Sequence, residues 1–244
     1  MNIRLKRYRR DYPYSYTNGV FSTIELLDTH PEHVNRVIIS SSGGENEGID
    51  KIRKLCREYE IPVEVNDKTI ERISLKGKHL AIGVFSKYRS SIEPKENHLV
   101  LVSPSDMGNI GTIARTMLGF GIFNLALIRP AVDCFDPRAI RASMGAIFHL
   151  NIEYFNNLAD YHRLFSNNLY LFKSGENSNL REIKFQKPYT LVFGNESSGL
   201  PDDLEVKGMT ISIPHSGKID SLNLSVAAGI ALYESSRTGP VHND

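Results

Sequence analysis

Cysteine is nearly absent from this chain: Cys56 and Cys134 are the only two in 244 residues. They stand far apart, with no Cys-x-x-Cys spacing and no His-rich surroundings. They support neither a disulfide framework nor a zinc site, which fits a reducing cytoplasm, and no metal ligand is assigned. Long apolar runs are also missing; none approaches the roughly 20 residues of a membrane helix. The first residues lack the apolar core of a signal peptide, so the expectation is a soluble cytoplasmic protein with no membrane partner. Charge of one sign is lacking too: 29 Lys and Arg oppose 28 Asp and Glu, a formal +1. That excludes a global attraction to nucleic acid and leaves only local patches. Repeats and low-complexity blocks do not occur.

What is present is an ordinary globular composition, 41% apolar and 23% charged. One local patch stands out, where Arg4, Lys6, Arg7, Arg9 and Arg10 interleave with Tyr8, Tyr12, Tyr14 and Tyr16. It suits phosphate pairing with base stacking, and equally a solvated terminus. From Val20 onward, short apolar runs alternate with helical stretches. Helices are expected near residues 20–27, 49–59 and 69–73, and strands at 37–39, 61–65 and 80–85. Residues 86–97, charged and holding Pro94, read as a linker. The pattern then restarts, with strands at 99–102, 125–128, 170–172, 191–193 and 210–213. Helices are expected at about 109–118 and 223–235. Continuous apolar strands separated by helices imply an α/β fold with a parallel sheet covered on both faces. Ligands are expected beyond the carboxyl ends of its strands.

Three polar segments follow such strands. In Asp106-Met-Gly-Asn-Ile-Gly-Thr-Ile-Ala-Arg115, Ile110, Ile113, Ala114, Met117 and Leu118 form a core stripe. Gly108, Gly111, Thr112 and Arg115 share another face, and Asn109 is suited to cap the helix, where an anion is favoured. In Gly194-Asn-Glu-Ser-Ser-Gly199 the Gly-x4-Gly spacing matches a phosphate loop, but Leu200 and Pro201 stand where Lys and Ser/Thr are needed. The turn that remains presents Asn195 and Glu196. In the third segment, the polar run Pro214 to Asp220 leads to Ser221 and Asn223 before an apolar helix, with Ser221 a candidate N-cap. Gly119-Phe-Gly121 ends a helix and is no dinucleotide fingerprint. A Gly-x-Ser-x-Gly elbow is absent.

Together, in this order and spacing, these segments resemble the motifs of the SpoU/TrmH family of RNA ribose 2′-O-methyltransferases, part of the SPOUT superfamily. Asn109-x-Gly111-x3-Arg115-Thr116 with Phe120-Gly121 resembles the first motif and Gly194-Asn195-Glu196-x2-Gly199-Leu200 the second. Ile213-Pro214-x2-Gly217-x3-Ser221-Leu222-Asn223-x-Ser225-x-Ala227 resembles the third. The likeness covers residues 97 to 236. More loosely, residues 19–85 resemble an L30e-like RNA-binding domain through Gly19-Val-Phe-Ser and Lys76-Gly-Lys-His79. His79-Leu80-Ala81 stands there in place of the family's His-Gln-Gly. The expected layout is a basic aromatic tail (1–18), an L30e-like substrate-binding domain (19–86), a linker (87–97) and a SPOUT domain (98–244) with a carboxyl-terminal trefoil knot.

The resemblance implies S-adenosylmethionine as cofactor, contacted by Phe193, Gly194, Asn195, Glu196, Ile213, Ser221, Leu222 and Asn223. It further implies a homodimer with the active site completed across the interface. The catalytic set it carries over is Arg115, Asn109, Glu196, Ser221 and Asn223. Arg115 falls at the reacting hydroxyl, but a guanidinium essentially never deprotonates, so phosphate clamping and hydroxyl orientation are expected of it rather than base action. The substrate expected is structured RNA, ribosomal before transfer RNA because of the extra domain. Housekeeping and antibiotic-resistance roles both fit, and a catalytically silent ribosome-assembly factor is the alternative class.

Overall fold

The computed structural model describes residues 5–44, 46–75, 77, 79–175, 178–201, 204–216 and 218–237. Arg4, Lys76, Lys78 and Gly217, singled out above, lie outside these. The chain forms two compact units. One comprises the chain through Tyr88 together with Asp133–His149; the other comprises Arg89–Val132 and everything from Leu150 onward.

The first unit contains β1 (Tyr14–Tyr16), α1 (Val20–Thr29), β2 (Val34–Ile39), α2 (Glu47–Glu58), β3 (Val63–Val65), α3 (Asp67–Ile73) and β4 (Ala81–Ser86). Its sheet runs β1-β4-β2-β3, with β4 antiparallel to both neighbours and β2 parallel to β3. Helix α2 shows why these residues fold as they do. Ile49, Ile52 and Cys56 recur along one buried face, and Asn46 Oδ1 accepts the Gly48 and Ile49 N–H groups at its start.

The segment expected as a tail is built into this unit. Tyr14–Tyr16 adds a strand to β4, Tyr16 is fully buried, and its hydroxyl donates to the Lys6 carbonyl at 2.6 Å. Tyr8 and Tyr14 pack against the same cluster, with Leu5, Ile38, Ile70 and Ile82. The tyrosines face the core because burying large aromatic surfaces outweighs leaving them solvated; Lys6, Arg7, Arg9 and Arg10 stay exposed.

The second unit contains β5 (His98–Val102), α4 (Met107–Gly119), β6 (Asn124–Ile128), β7 (Asn151–Phe155), α6 (Leu158–Leu164), β8 (Asn168–Phe172), β9 (Tyr189–Phe193), β10 (Met209–Ile211) and α7 (Leu224–Ser236). Between β6 and β7 the chain returns to the first unit through α5 (Pro137–Ala142). There Phe135 and Phe148 meet Phe85 edge-on, at 5.5 and 5.4 Å between ring centres, and Lys87 pairs with Asp133 at 2.7 Å. Gly145, at φ +91°, lies so close to Glu25 that a Cβ would come within 2.7 Å of that side chain. Only glycine suits both constraints. Residues 89–97, expected as linker, pack in the second unit. Ile92 is buried, its N–H donates to Glu153, and the Glu93 N–H donates to Asn124.

The six strands of the second unit are all parallel, in the order β10-β8-β9-β5-β6-β7. From β5 the chain steps outward through β6 and β7, crosses to β8 on the other side, and returns with β9 beside β5. The order therefore reverses between β5 and β9, which is where a parallel sheet opens a crevice at its carboxyl edge. Helix α4 starts at Met107, two residues before the expected Asn109. Its cap is Asp106, whose side chain accepts the Asn109 N–H at 2.7 Å.

One polar chain runs through this core. His98, fully buried, donates from Nε2 to the Glu93 carbonyl at 2.8 Å, so its Nδ1 must accept from the Tyr161 hydroxyl, also at 2.8 Å. Tyr161 is met in turn by the Thr190 hydroxyl at 2.7 Å. Burial, opposed by the Glu93 bond, holds the His98 pKa below its ordinary value. Tyr161→Phe leaves both partners unsatisfied at nearly unchanged volume. It should lower the unfolding free energy by about 1–3 kcal/mol, measured by urea titration.

Candidate functional site at the carboxyl edge of the parallel sheet

Loop 194–200, after β9, folds back on itself for a definite reason. The Asn195 N–H donates to the Gly199 carbonyl at 3.1 Å and the Gly199 N–H to the Asn195 carbonyl at 2.9 Å. This closure presses Gly194 against the far side of the loop. A Cβ on Gly194 would lie 2.0 Å from the Gly199 carbonyl carbon and 2.2 Å from the Leu200 nitrogen. Gly199 itself takes φ +68°. The Gly-x4-Gly spacing thus makes a self-closed loop, not a phosphate cradle.

The closed loop presents Glu196 to the start of α4. Its carboxylate accepts the Ser105 N–H (3.1 Å), the Ser105 hydroxyl (2.9 Å), the Asp106 N–H (3.1 Å), Asn109 Nδ2 (3.3 Å) and Asn195 Nδ2 (3.2 Å). Burial pushes its pKa up, but the hydrogen bonds from its own backbone and from Ser105 and Asp106 outweigh this and hold it below the ordinary value. Asn109 carries the connection onward, its Oδ1 accepting Asn223 Nδ2 at 3.2 Å. Asn223 Oδ1 then caps α7 by accepting the Ser225 N–H at 2.8 Å and the Val226 N–H at 3.4 Å. Neither Asn109 nor Ser221 is a helix cap; Asp106 and Asn223 are.

Beside this relay is a cavity of about 390 Å³. Its walls include Phe193, Gly194, Asn195, Glu196, Ile213, Ser221 and Leu222. These are seven of the eight residues expected to contact a cofactor. The eighth, Asn223, is not a wall residue but caps the helix behind it. Phe172 stacks on Phe193 at 4.4 Å and 12°, giving one flat apolar wall. Lys173, His215 and Asp220 also line the cavity; the last two belong to the polar run 214–220, whereas Lys173 was not singled out from the sequence. The His215 ring bridges the Ile213 and Ile219 carbonyls at 2.9 and 3.1 Å, holding the loop after β10 in a tight curve.

Residues 96–233 match the SpoU rRNA Methylase family. The chain belongs to that family. Among its relatives, an uncharacterized tRNA/rRNA methyltransferase of Archaeoglobus fulgidus is 31% identical over 82% of this chain and 91% of its own length. The 23S rRNA (guanosine-2′-O-)-methyltransferase RlmB of Acinetobacter baylyi is 26% identical over 91% of this chain and 96% of its own. The crystal structure of an AdoMet-bound rRNA methyltransferase from Sinorhizobium meliloti superimposes with a TM-score of 0.78 at 27% identity, covering 92% of this chain and 87% of that one.

In this SpoU-family chain, Arg115 follows Asn109 by six residues on α4. It lies on the exposed side of α4, with Thr112, and is not a wall of the cavity. Gly111, expected on the same face, is buried. The Glu196–Asn109–Asn223 relay ties α4 to the cavity loops, so it sets where Arg115 stands relative to the cavity. Glu196→Gln turns an amide toward donors and should cost on the order of 1–2 kcal/mol at neutral pH, moderated by partial exposure. Because the folded pKa is depressed, this contribution is present above about pH 4.3 and is lost as pH falls through the folded value. Urea titrations across that range should show the variant lacking this part of the acid limb.

Proposed function

We propose that this chain is an S-adenosylmethionine-dependent RNA ribose 2′-O-methyltransferase acting on 23S-type ribosomal RNA as a homodimer. One observation carries the reading. The three motif segments, distant in sequence, converge through the Glu196–Asn109–Asn223 relay around a cavity at the sheet's switch point. The 23S rRNA relative, which aligns along nearly its whole length, supports the ribosomal substrate. The expected trefoil knot is part of the same proposal, supported by the walls that residues 193–200 and 211–224 jointly give the cavity.

The cavity's size lies within the usual range for small-molecule sites, and its donor set suits the cofactor. Phe172, Phe193, Ile211 and Leu222 offer apolar surface for a purine, while Asn195, Asp220 and Ser221 offer polar partners. When bound, S-adenosylmethionine supplies a methyl group on an already activated sulfonium. What remains for the protein is alignment of the ribose hydroxyl and removal of its proton. Arg115, permanently charged and with five donors, clamps an RNA phosphate and orients the hydroxyl. Glu196, engaged by five donor groups, positions α4 and does not act as a free base.

The dimer is supported by α7. Val226, Ile230 and Tyr233, at i, i+4 and i+7, are 50%, 38% and 59% exposed, and the Tyr233 ring meets that of Phe120 at 6.2 Å. A helix apolar on its outer face as well needs a cover, and a second copy of the same stripe is self-complementary. Ile230→Asp should shift the protein to monomer in sedimentation velocity. An unchanged dimer, or a wild-type monomer, would remove this part of the proposal.

The activity is tested by incubating the protein with labelled S-adenosylmethionine and unmodified total RNA, then mapping new ribose methylation. Label is expected at one ribosomal position. Arg115→Ala should reduce transfer at least about 100-fold, the scale of losing alignment, while cofactor affinity is largely kept. Undiminished turnover in that variant would overturn the role of Arg115. Cofactor and RNA binding without transfer would overturn the enzyme reading.

A further inference from the structure

In the first unit, at the carboxyl end of α1, three electron-pair donors converge. His30 is the helix's last cap residue, and Pro31–His33 continues as a single tight helical turn that brings Glu32 and His33 back toward His30. His30 Nδ1 lies 3.2 Å, and His33 Nε2 3.5 Å, from the same Glu32 oxygen, Oε1. One donor atom from each residue falls within 4.8 Å of the others. In a tetrahedral site with metal–donor bonds of about 2.0–2.2 Å, neighbouring donors stand about 3.3–3.6 Å apart. Two of the three edges already have close to that length.

The surroundings fix the two rings. The other nitrogen of His30, Nε2, is 3.0 Å from the Phe148 carbonyl. A carbonyl can only accept, so Nε2 carries a proton, and a neutral His30 turns the lone pair of Nδ1 toward Glu32. A ring N–H held by a backbone carbonyl is the arrangement that orients a metal-binding imidazole. Tyr88 stacks on His33 at 4.6 Å and 8°, and meets His30 at 4.4 Å. The Nδ1 lone pair of His30, facing a carboxylate oxygen, is suited to a cation placed between them. One divalent ion would satisfy all three donors at once.

We propose that His30, Glu32 and His33 hold a divalent transition-metal ion, Zn²⁺ foremost, with the fourth position open to water. Two imidazoles and one carboxylate suit Zn²⁺ and its spectroscopic substitute Co²⁺ and disfavour Mg²⁺ and Ca²⁺, which take oxygen sets. The ion would link the end of α1 to the turn at Ala146–His149 through His30, serving stability and not methyl transfer. The site is independent of the cavity in the other unit and does not rest on the proposed activity.

The test is calorimetric titration of Zn²⁺ into the untagged, chelator-stripped full chain. One saturable equivalent is expected in the wild type. His33→Ala and the shape-conserving Glu32→Gln should each weaken it at least about tenfold, with circular dichroism showing both still folded. Co²⁺ should give the intense visible absorption of a tetrahedral site in the wild type alone. Absence of saturable Zn²⁺ binding, or binding equally tight in both variants, would overturn the proposal.

Discussion

The site depends on one carboxylate. Glu196 gathers donors from loop 194–200 and from the start of α4, and through Asn109 it reaches the residue that caps α7. An ionised carboxylate accepts and never donates, so each of its lone pairs can be met by an N–H or O–H from a different segment. Three pieces of chain with no local reason to associate are thereby tied together. The depressed pKa of Glu196 is the electrostatic record of that work.

The backbone makes this possible before any side chain takes part. Six parallel strands place the ends of β5, β8, β9 and β10 on one edge, and the reversal of order between β5 and β9 opens the crevice there. Gly194 lets the loop after β9 close against its own backbone, at a distance no Cβ could occupy. The apolar stacking of Phe172 on Phe193 then gives the crevice a wall. Each step uses a different constraint: topology, sterics, and burial of apolar surface.

Much of the second unit was legible in the chain itself. Continuous apolar runs such as Leu99–Val102 and Leu125–Ile128 are what strands covered on both faces require, and both are buried strands of the parallel sheet. Gly194, Asn195 and Gly199 of the second motif and Ile213, Ser221 and Leu222 of the third also line the cavity. The misreadings share a cause. Tyr8 and Tyr16 look like stacking platforms and Ile92 sits in a charged stretch, yet all three pack inward, because the surfaces that accept them come from distant segments. β7 alternates weakly, since Glu153 and Tyr154 are only half-buried, and it was not expected. Phe135 and Phe148 lie in a stretch interrupting the second unit, and no periodicity marks a return to the first.

Sequence alone determined the fold class, the three motifs and the kinds of donor group available, because strand periodicity and loop chemistry are local properties. Tertiary structure decided which atoms meet. It made Asp106 and Asn223 the caps, turned Asn109 into a bridge, set Arg115 on the open face of α4, and brought His30, Glu32 and His33 onto one point. Those outcomes turn on distances of an ångström between side chains, including residues far apart in the chain. Such distances are set by the packing of whole elements, which residue order encodes only through the complete fold.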